Sequence, residues 1–272
     1  MICQEIPIRV PGLDEEARLT TYILDVTSET PFNSRRPLVL LCPGGGYEWT
    51  SEREGEPIAL RFMAMGFHSA ILWYSVKPAV YPSALLQVGE AVRCLKAHAD
   101  EFHLDPGKII IQGCSAGGHL AASYGVFWKK DWVRKTLGAT EEELRPAGLI
   151  LCYPVITSGE FAHRGSFVSL LGDRYDELVD EMSLENQVNP DVPRTFLWHT
   201  TEDEAVPVEN SLYFYSALHR QGIPAELHIY ERGLHGLALA SPLTSEPDGT
   251  RIQKECESWI DLAGTWMEYY KR

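Results

Sequence analysis

Lys108-Ile109-Ile110-Ile111-Gln112-Gly113-Cys114-Ser115-Ala116-Gly117-Gly118-His119-Leu120-Ala121-Ala122-Ser123 reads as a short apolar strand, a glycine-flanked turn and the opening of a helix. Ile109–Ile111 is a continuous apolar, β-branched run, as expected of a strand covered on both faces of a parallel sheet. Gly113 to Gly117 is G-x-S-x-G. Between a strand and a helix, that spacing pushes a serine hydroxyl out of a tight, strained turn, while the glycines let neighbouring backbone approach without a Cβ. The helix behind it offers unpaired N–H groups and the positive end of its dipole to a developing oxyanion. Ser115 is the candidate nucleophile; the competing reading is a purely structural turn.

Working outward, similar runs recur at Pro37–Leu41, Ser69–Tyr74, Gly148–Cys152, Thr195–His199 and Glu226–Tyr230. Glu5–Val10 and Leu19–Val26 alternate more and come first, so they are expected to form an antiparallel edge hairpin. Helical spacing fills the gaps. Pro57–Met65 places Ile58, Phe62 and Met65 on one face, and Ser83–Phe102 carries Ala84, Val88, Val92, Leu95 and Ala99. Pro207 opens a helix expected to turn Leu212, Tyr215 and Leu218 inward, and a last helix lies near Lys254–Tyr270. Strand–helix alternation of this kind predicts one doubly wound α/β domain over 1–272. The stretch from Val155 to Pro193 lacks a clean helical period and is expected to form a small irregular insertion over one end of the sheet.

A serine nucleophile needs a second oxyanion donor, a base and an acid that orients the base. Pro43-Gly44-Gly45-Gly46-Tyr47 follows the strand at Pro37–Leu41 and can expose backbone N–H groups at positive φ. No Gly-Lys-Ser/Thr follows, which argues against a phosphate loop; a plain turn stays open. Of nine histidines, His235 fits best, in Gly233-Leu234-His235-Gly236 after the last strand. His119 lies on the helix behind Ser115 and is expected to point into the fold, and His199 and His228 belong to strands. Glu202-Asp203-Glu204 offers three acids after Thr195–His199, with a solvated loop as the bland reading. Asp203 begins D-x-x-V-P, with Pro207 opening the next helix, and that selects it. The order Ser115, Asp203, His235 is the chain order of one class of serine hydrolase.

Composition agrees with a globular enzyme. The chain has 272 residues, 44% hydrophobic and 23% charged, and a formal charge of −14, a field that disfavours nucleic acid as a partner. No run of about 18 apolar residues is present, so no membrane span is expected. The amino terminus lacks a secretory pattern, and six scattered cysteines without C-x-x-C fit a reducing compartment, so a cytoplasmic location is the expectation. No H-E-x-x-H, Cys/His cluster or dinucleotide fingerprint is present; neither metal nor cofactor is implied.

The residues Pro43–Tyr47, Ser51-Glu52-Arg53-Glu54, Tyr74-Ser75-Val76, Gly113–Ala122, Trp198-His199-Thr200, Asp203, Val206-Pro207 and His228–Gly236 together resemble the α/β-hydrolases of the esterase/lipase superfamily, in the acetyl-xylan/feruloyl esterase-like branch. Pro43 departs from that pattern, standing where many relatives have histidine. The resemblance implies a mostly parallel eight-stranded sheet with helices on both faces and Ser115, Asp203 and His235 as the triad. It places the oxyanion donors at Ala116, Gly45 and Gly46. The implied substrates are short acyl esters, above all acetyl groups on plant-derived oligosaccharides. Tyr47, Trp49, Phe161, His163 and Phe167 are candidates to line the pocket, though aromatic residues there serve equally as core. An arylesterase, a small peptidase with the same triad, and a catalytically inert binding module are the competing functions. Trp259, Trp266, Tyr269 and Tyr270 on the last helix are either core or a homodimer face.

Overall fold

The computed structural model describes residues 1–27, 29 and 35–271. Its strands are β1 (Ile2–Arg9), β2 (Glu16–Ile23), β3 (Arg36–Cys42), β4 (His68–Trp73), β5 (Leu104–Cys114), β6 (Gly148–Cys152), β7 (Thr195–Thr200) and β8 (Ala225–Tyr230). They form one eight-stranded sheet in the order β1-β2-β4-β3-β5-β6-β7-β8. β1 pairs with β2, and β2 with β4, antiparallel; the other pairings are parallel. The expected edge hairpin and parallel sheet are both present.

The helices are α1 (Glu56–Ala64), α2 (Ser83–Ala97), α3 (Ala116–Phe127), α4 (Asp131–Leu137), α5 (Glu141–Leu144), α6 (Arg164–Leu171), α7 (Tyr175–Leu178), α8 (Glu209–Arg220) and α9 (Trp259–Met267). The period of two along each strand sorts the core into two layers. Leu38, Leu40, Ile109, Ile111, Leu149, Leu151 and Leu197 face the layer of α2, α3 and α8. Val39, Leu41, Ile110, Ile150, Phe196 and Trp198 face α1 and α9. Residues 155–193 form α6, α7 and short 3-10 turns, tied down by Tyr81 N–H to Leu170 O (2.7 Å).

One expectation changes. Leu212 is exposed, and the inward face of α8 is Asn210, Ser211, Phe214, Ala217 and Leu218. The polar pair is buried because it is bonded: Asn210 Oδ1 accepts from the N–H groups of Ile156 and Thr157, and Ser211 Oγ meets His199 Nδ1 at 2.8 Å. On the last helix the open choice resolves to core for Trp259, Trp266 and Tyr270, with Trp259 stacked on Trp198 at 5.2 Å, while Tyr269 is exposed.

Two buried histidines make stability pH-dependent. Burial pulls the imidazoles of His68 and His119 from 6.5 down to about 4. The unfolded chain therefore takes up these protons first as pH falls. Their contribution is whole above 6.5 and is lost toward 4, at roughly 3 kcal/mol each over the full span. Denaturant midpoints should fall through that window, and His119→Gln, whose amide can replace both hydrogen bonds, should shallow the slope. An unchanged slope in the variant would show that His119 does not titrate in this way.

Candidate active site

The turn between β5 and α3 puts Ser115 at φ 54°, ψ −120°, in the left-handed region that side chains avoid. Close packing requires glycine beside it: a Cβ on Gly117 would lie 2.0 Å from Cys42 O. Ser115 N–H donates to Cys152 O (3.0 Å), fixing the turn to β6. As the first residue of α3, Ala116 has an N–H with no acceptor within its own helix.

Ser115 Oγ lies 2.7 Å from His235 Nε2, and His235 Nδ1 lies 2.6 Å from Asp203 Oδ2. A carboxylate only accepts, so the imidazole proton sits on Nδ1 and Nε2 accepts from the serine hydroxyl. Asp203 has a fully buried side chain. Its Oδ1 accepts from the N–H groups of Ala205 (3.1 Å) and Val206 (2.9 Å). Burial raises the carboxyl pKa, but hydrogen bonds from His199, His235 and Val206 outweigh it and hold the group well below the ordinary carboxylate range. The Asp203 carboxylate thus stays charged while it accepts from His235.

His199 was expected to be structural, and it is buried, with Nε2 2.9 Å from Val206 O and 3.3 Å from Asp203 Oδ2. Its position at the end of β7, four residues before Asp203, was the available signal. Arg53 donates to Thr244 O (2.7 Å) and Gly236 O (3.2 Å), and Arg251 donates to His235 O and Gly236 O. Two guanidinium groups therefore grip the histidine loop by its carbonyls, a role that their place in the sequence does not announce.

Ser115 and His235 open onto a pocket of about 400 Å³ lined also by Gly45, Gly46, Trp49, His163, Arg53 and Arg251. Gly45 (φ 132°) turns so sharply that a Cβ would lie 2.1 Å from Trp49 O. Trp49 stands 58% exposed on the rim. Tyr47 is not at the pocket. The turn at Gly46 (φ 67°) and Tyr47 (φ 61°) drives its ring into the core, where its hydroxyl meets His119 Nδ1 at 2.9 Å. His119 points into the fold as expected, its Nε2 bonded to Met182 O at 3.0 Å. Phe167 packs edge-on against His119, and Phe161 packs on Tyr213, so of the insertion's candidates His163 is the one at the pocket.

A larger depression of about 720 Å³ lies at the opposite end of the strands, beside Gly107, Ala147 and Pro193, and holds no nucleophile–base pair. Ligands of open α/β sheets bind beyond the carboxyl ends of the strands, which is where Ser115 sits. Among the described residues no three His, Cys, Asp or Glu side chains are grouped to hold a metal ion. Among the same residues no helix is long and apolar enough to cross a membrane.

The sheet, its serine-bearing turn and its strand order are those of an esterase-like α/β-hydrolase. Residues 24–218 match the BD-FAE family model, and the chain belongs to that family. It is 36% identical over 212 residues to endo-1,4-beta-xylanase B of Butyrivibrio fibrisolvens, which covers 76% of this chain and 33% of that protein. The chain spans less than half the length of the curated relatives it matches. The acetyl ester-xyloside bifunctional hydrolase of Caldicellulosiruptor lactoaceticus superposes with a TM-score of 0.84 at 36% identity, over 98% of this chain and 96% of that one. The carboxylesterase Cest-2923 of Lactobacillus plantarum gives a TM-score of 0.87 at 29% identity, over 100% and 98%.

Proposed function

We propose that the chain is a serine carboxylic-ester hydrolase that removes short acyl groups, acetyl first among them, from oligosaccharides. The observation that carries this is the chain of hydrogen bonds from Ser115 through His235 to Asp203, open to a pocket beside the glycine loop. His235 Nε2 takes the hydroxyl proton as Ser115 Oγ attacks the ester carbonyl, and the resulting oxyanion is met by the N–H of Ala116 and those of Gly45 and Gly46. The tetrahedral intermediate expels the alcohol, protonated by His235, and leaves an acyl-serine. Water, deprotonated by the same imidazole, then releases the acid.

The substrate reading draws on the likeness to the acetyl ester-xyloside bifunctional hydrolase and on the pocket rim. Trp49 offers an exposed indole face to a sugar ring. His163 Nδ1 accepts from Ser166 at the start of α6, so its ring proton lies on Nε2, and burial beside His235 lowers its pKa. It stays a neutral donor for a sugar hydroxyl.

The test is acetate release from acetylated xylo-oligosaccharides beside 4-nitrophenyl esters of graded chain length, with fluorophosphonate labelling of the wild-type protein. Acetate release and labelling are expected. Labelling with a preference for long acyl chains would overturn the substrate reading, and no labelling would overturn the nucleophile. Trp49→Ala should raise KM for the acetylated oligosaccharide about 5- to 10-fold, the worth of one aromatic stack. Hydrolysis of 4-nitrophenyl acetate should stay within about 2-fold. Equal losses on both substrates would remove Trp49 from sugar binding.

A further inference from the structure

We propose that Glu54 and Tyr153 are positioning residues, a buried carboxylate–phenol bridge that holds the glycine loop and the histidine loop in register around Ser115. Glu54 is 4% exposed, deep under a turn whose sequence, Ser51-Glu52-Arg53-Glu54, looks like charged surface. Its Oε2 accepts the Gly44 N–H at 2.7 Å, and its Oε1 accepts the Tyr153 hydroxyl at 2.8 Å. The Tyr153 oxygen in turn accepts the Ala238 N–H at 2.9 Å. One unbroken chain of hydrogen bonds therefore joins the loop after β3, the residue after β6 and the loop that carries His235. A Cβ on Gly44 would lie 2.6 Å from Glu54 Oε2 and 3.0 Å from Ser115 Cβ, which places the carboxylate beside the nucleophile's own turn.

Two independent observations point the same way. Ala238 (φ 52°) and Tyr153 (φ 37°), the donor and acceptor residues of the last link, both sit in the left-handed region without being glycine. Such residues are strained and persist where their surroundings over-determine them, commonly at functional sites. The Tyr153 ring also packs edge-on against the His235 imidazole at 5.3 Å and against Trp198 at 5.0 Å. Arg53, the neighbour of Glu54, reaches the histidine loop through Gly236 O, so the one turn holds both loops.

The donor count explains why a carboxylate stands there. Glu54 must accept on both oxygens at once. With glutamine, either the amide N–H₂ confronts the Gly44 N–H, or it donates to the Tyr153 oxygen and the phenol proton loses its carboxylate acceptor. Either outcome shifts the Gly44 peptide and with it the donors at Gly45 and Gly46. The Gly44 N–H itself is committed to Glu54 and is no oxyanion donor.

The inference rests on Ser115 acting as nucleophile, and the test separates the two. Wild type, Glu54→Gln, Tyr153→Phe and the double variant are compared for kcat and KM on 4-nitrophenyl acetate. Affinity for a trifluoromethyl ketone, whose hemiketal oxyanion occupies the same donors, is measured alongside. Each single change should lower kcat about 10- to 100-fold with KM within about 3-fold, and weaken the ketone in parallel. The double variant should be no worse than the weaker single, because both break one bridge. Tyr153→Phe retains the carboxylate and the ring packing, and it decides the matter if Glu54→Gln fails to fold. Folded variants with wild-type kcat and ketone affinity would overturn the bridge, while a wild-type protein that no fluorophosphonate labels would overturn the nucleophile instead.

Discussion

Ser115→Ala is expected to lower kcat on acetyl esters by roughly 10⁵- to 10⁶-fold and to abolish fluorophosphonate labelling. In the proposed mechanism the Ser115 hydroxyl forms the acyl-enzyme and passes its proton to His235 Nε2, 2.7 Å away. Alanine occupies φ 54° no worse than serine, and the backbone bond from residue 115 to Cys152 O is retained, so the fold should not change. The glycine loop and the first turn of α3 would still bind an oxyanion, so a residual rate above the uncatalysed one is expected. Intact-protein mass after probe treatment, with thermal midpoints within a few degrees of one another, checks the claim. A variant that still gains the probe's mass at the wild-type rate would remove Ser115 from the chemistry.

The path to that serine could be read from the amino acids because local rules and global topology agree there. Ser115 follows a strand and precedes a helix; Asp203 and His235 each follow a strand too, and in a parallel sheet those ends meet at one rim. Asp203 stood out from Glu202 and Glu204 by its spacing to Val206-Pro207, and the structure shows what that spacing does: it lets the Val206 N–H cap the carboxylate.

Where reading failed, long-range bonding had overridden local pattern. Leu212 is apolar at helical spacing, but Asn210 and Ser211 take the inward face of α8 because buried backbone N–H groups and His199 need partners there. Tyr47 sits next to three glycines yet leaves the pocket, since a positive φ at a non-glycine residue cannot be foreseen from its neighbours. Glu54 lies in a run of charges that gives no hint of a buried partner; its burial goes with a hydrogen bond to a residue 99 positions away. Tertiary partners of that kind leave no trace in a window of ten residues.

Asp203→Asn should lower kcat about 10⁴-fold, with Glu202→Gln and Glu204→Gln within about 3-fold of wild type. Two backbone N–H groups, of Ala205 and Val206, point at Oδ1, so the asparagine oxygen must settle there. Its N–H₂ then faces His235 Nδ1 and donates where the aspartate accepted. The imidazole is forced into the tautomer protonated on Nε2, and that nitrogen can no longer take the Ser115 proton. Loss of the charge also withdraws stabilisation from the imidazolium that forms as the serine attacks. Glu202 and Glu204 do neither job: Glu202 Oε2 accepts the Gly233 N–H at 3.1 Å, which a glutamine oxygen can replace, and Glu204 is exposed. Initial rates on 4-nitrophenyl acetate for the three variants, with circular dichroism to compare folds, discriminate among the acids. Comparable losses in all three would mean that the loop contributes only its negative field, because the tautomer argument singles out one carboxylate and leaves its two neighbours idle.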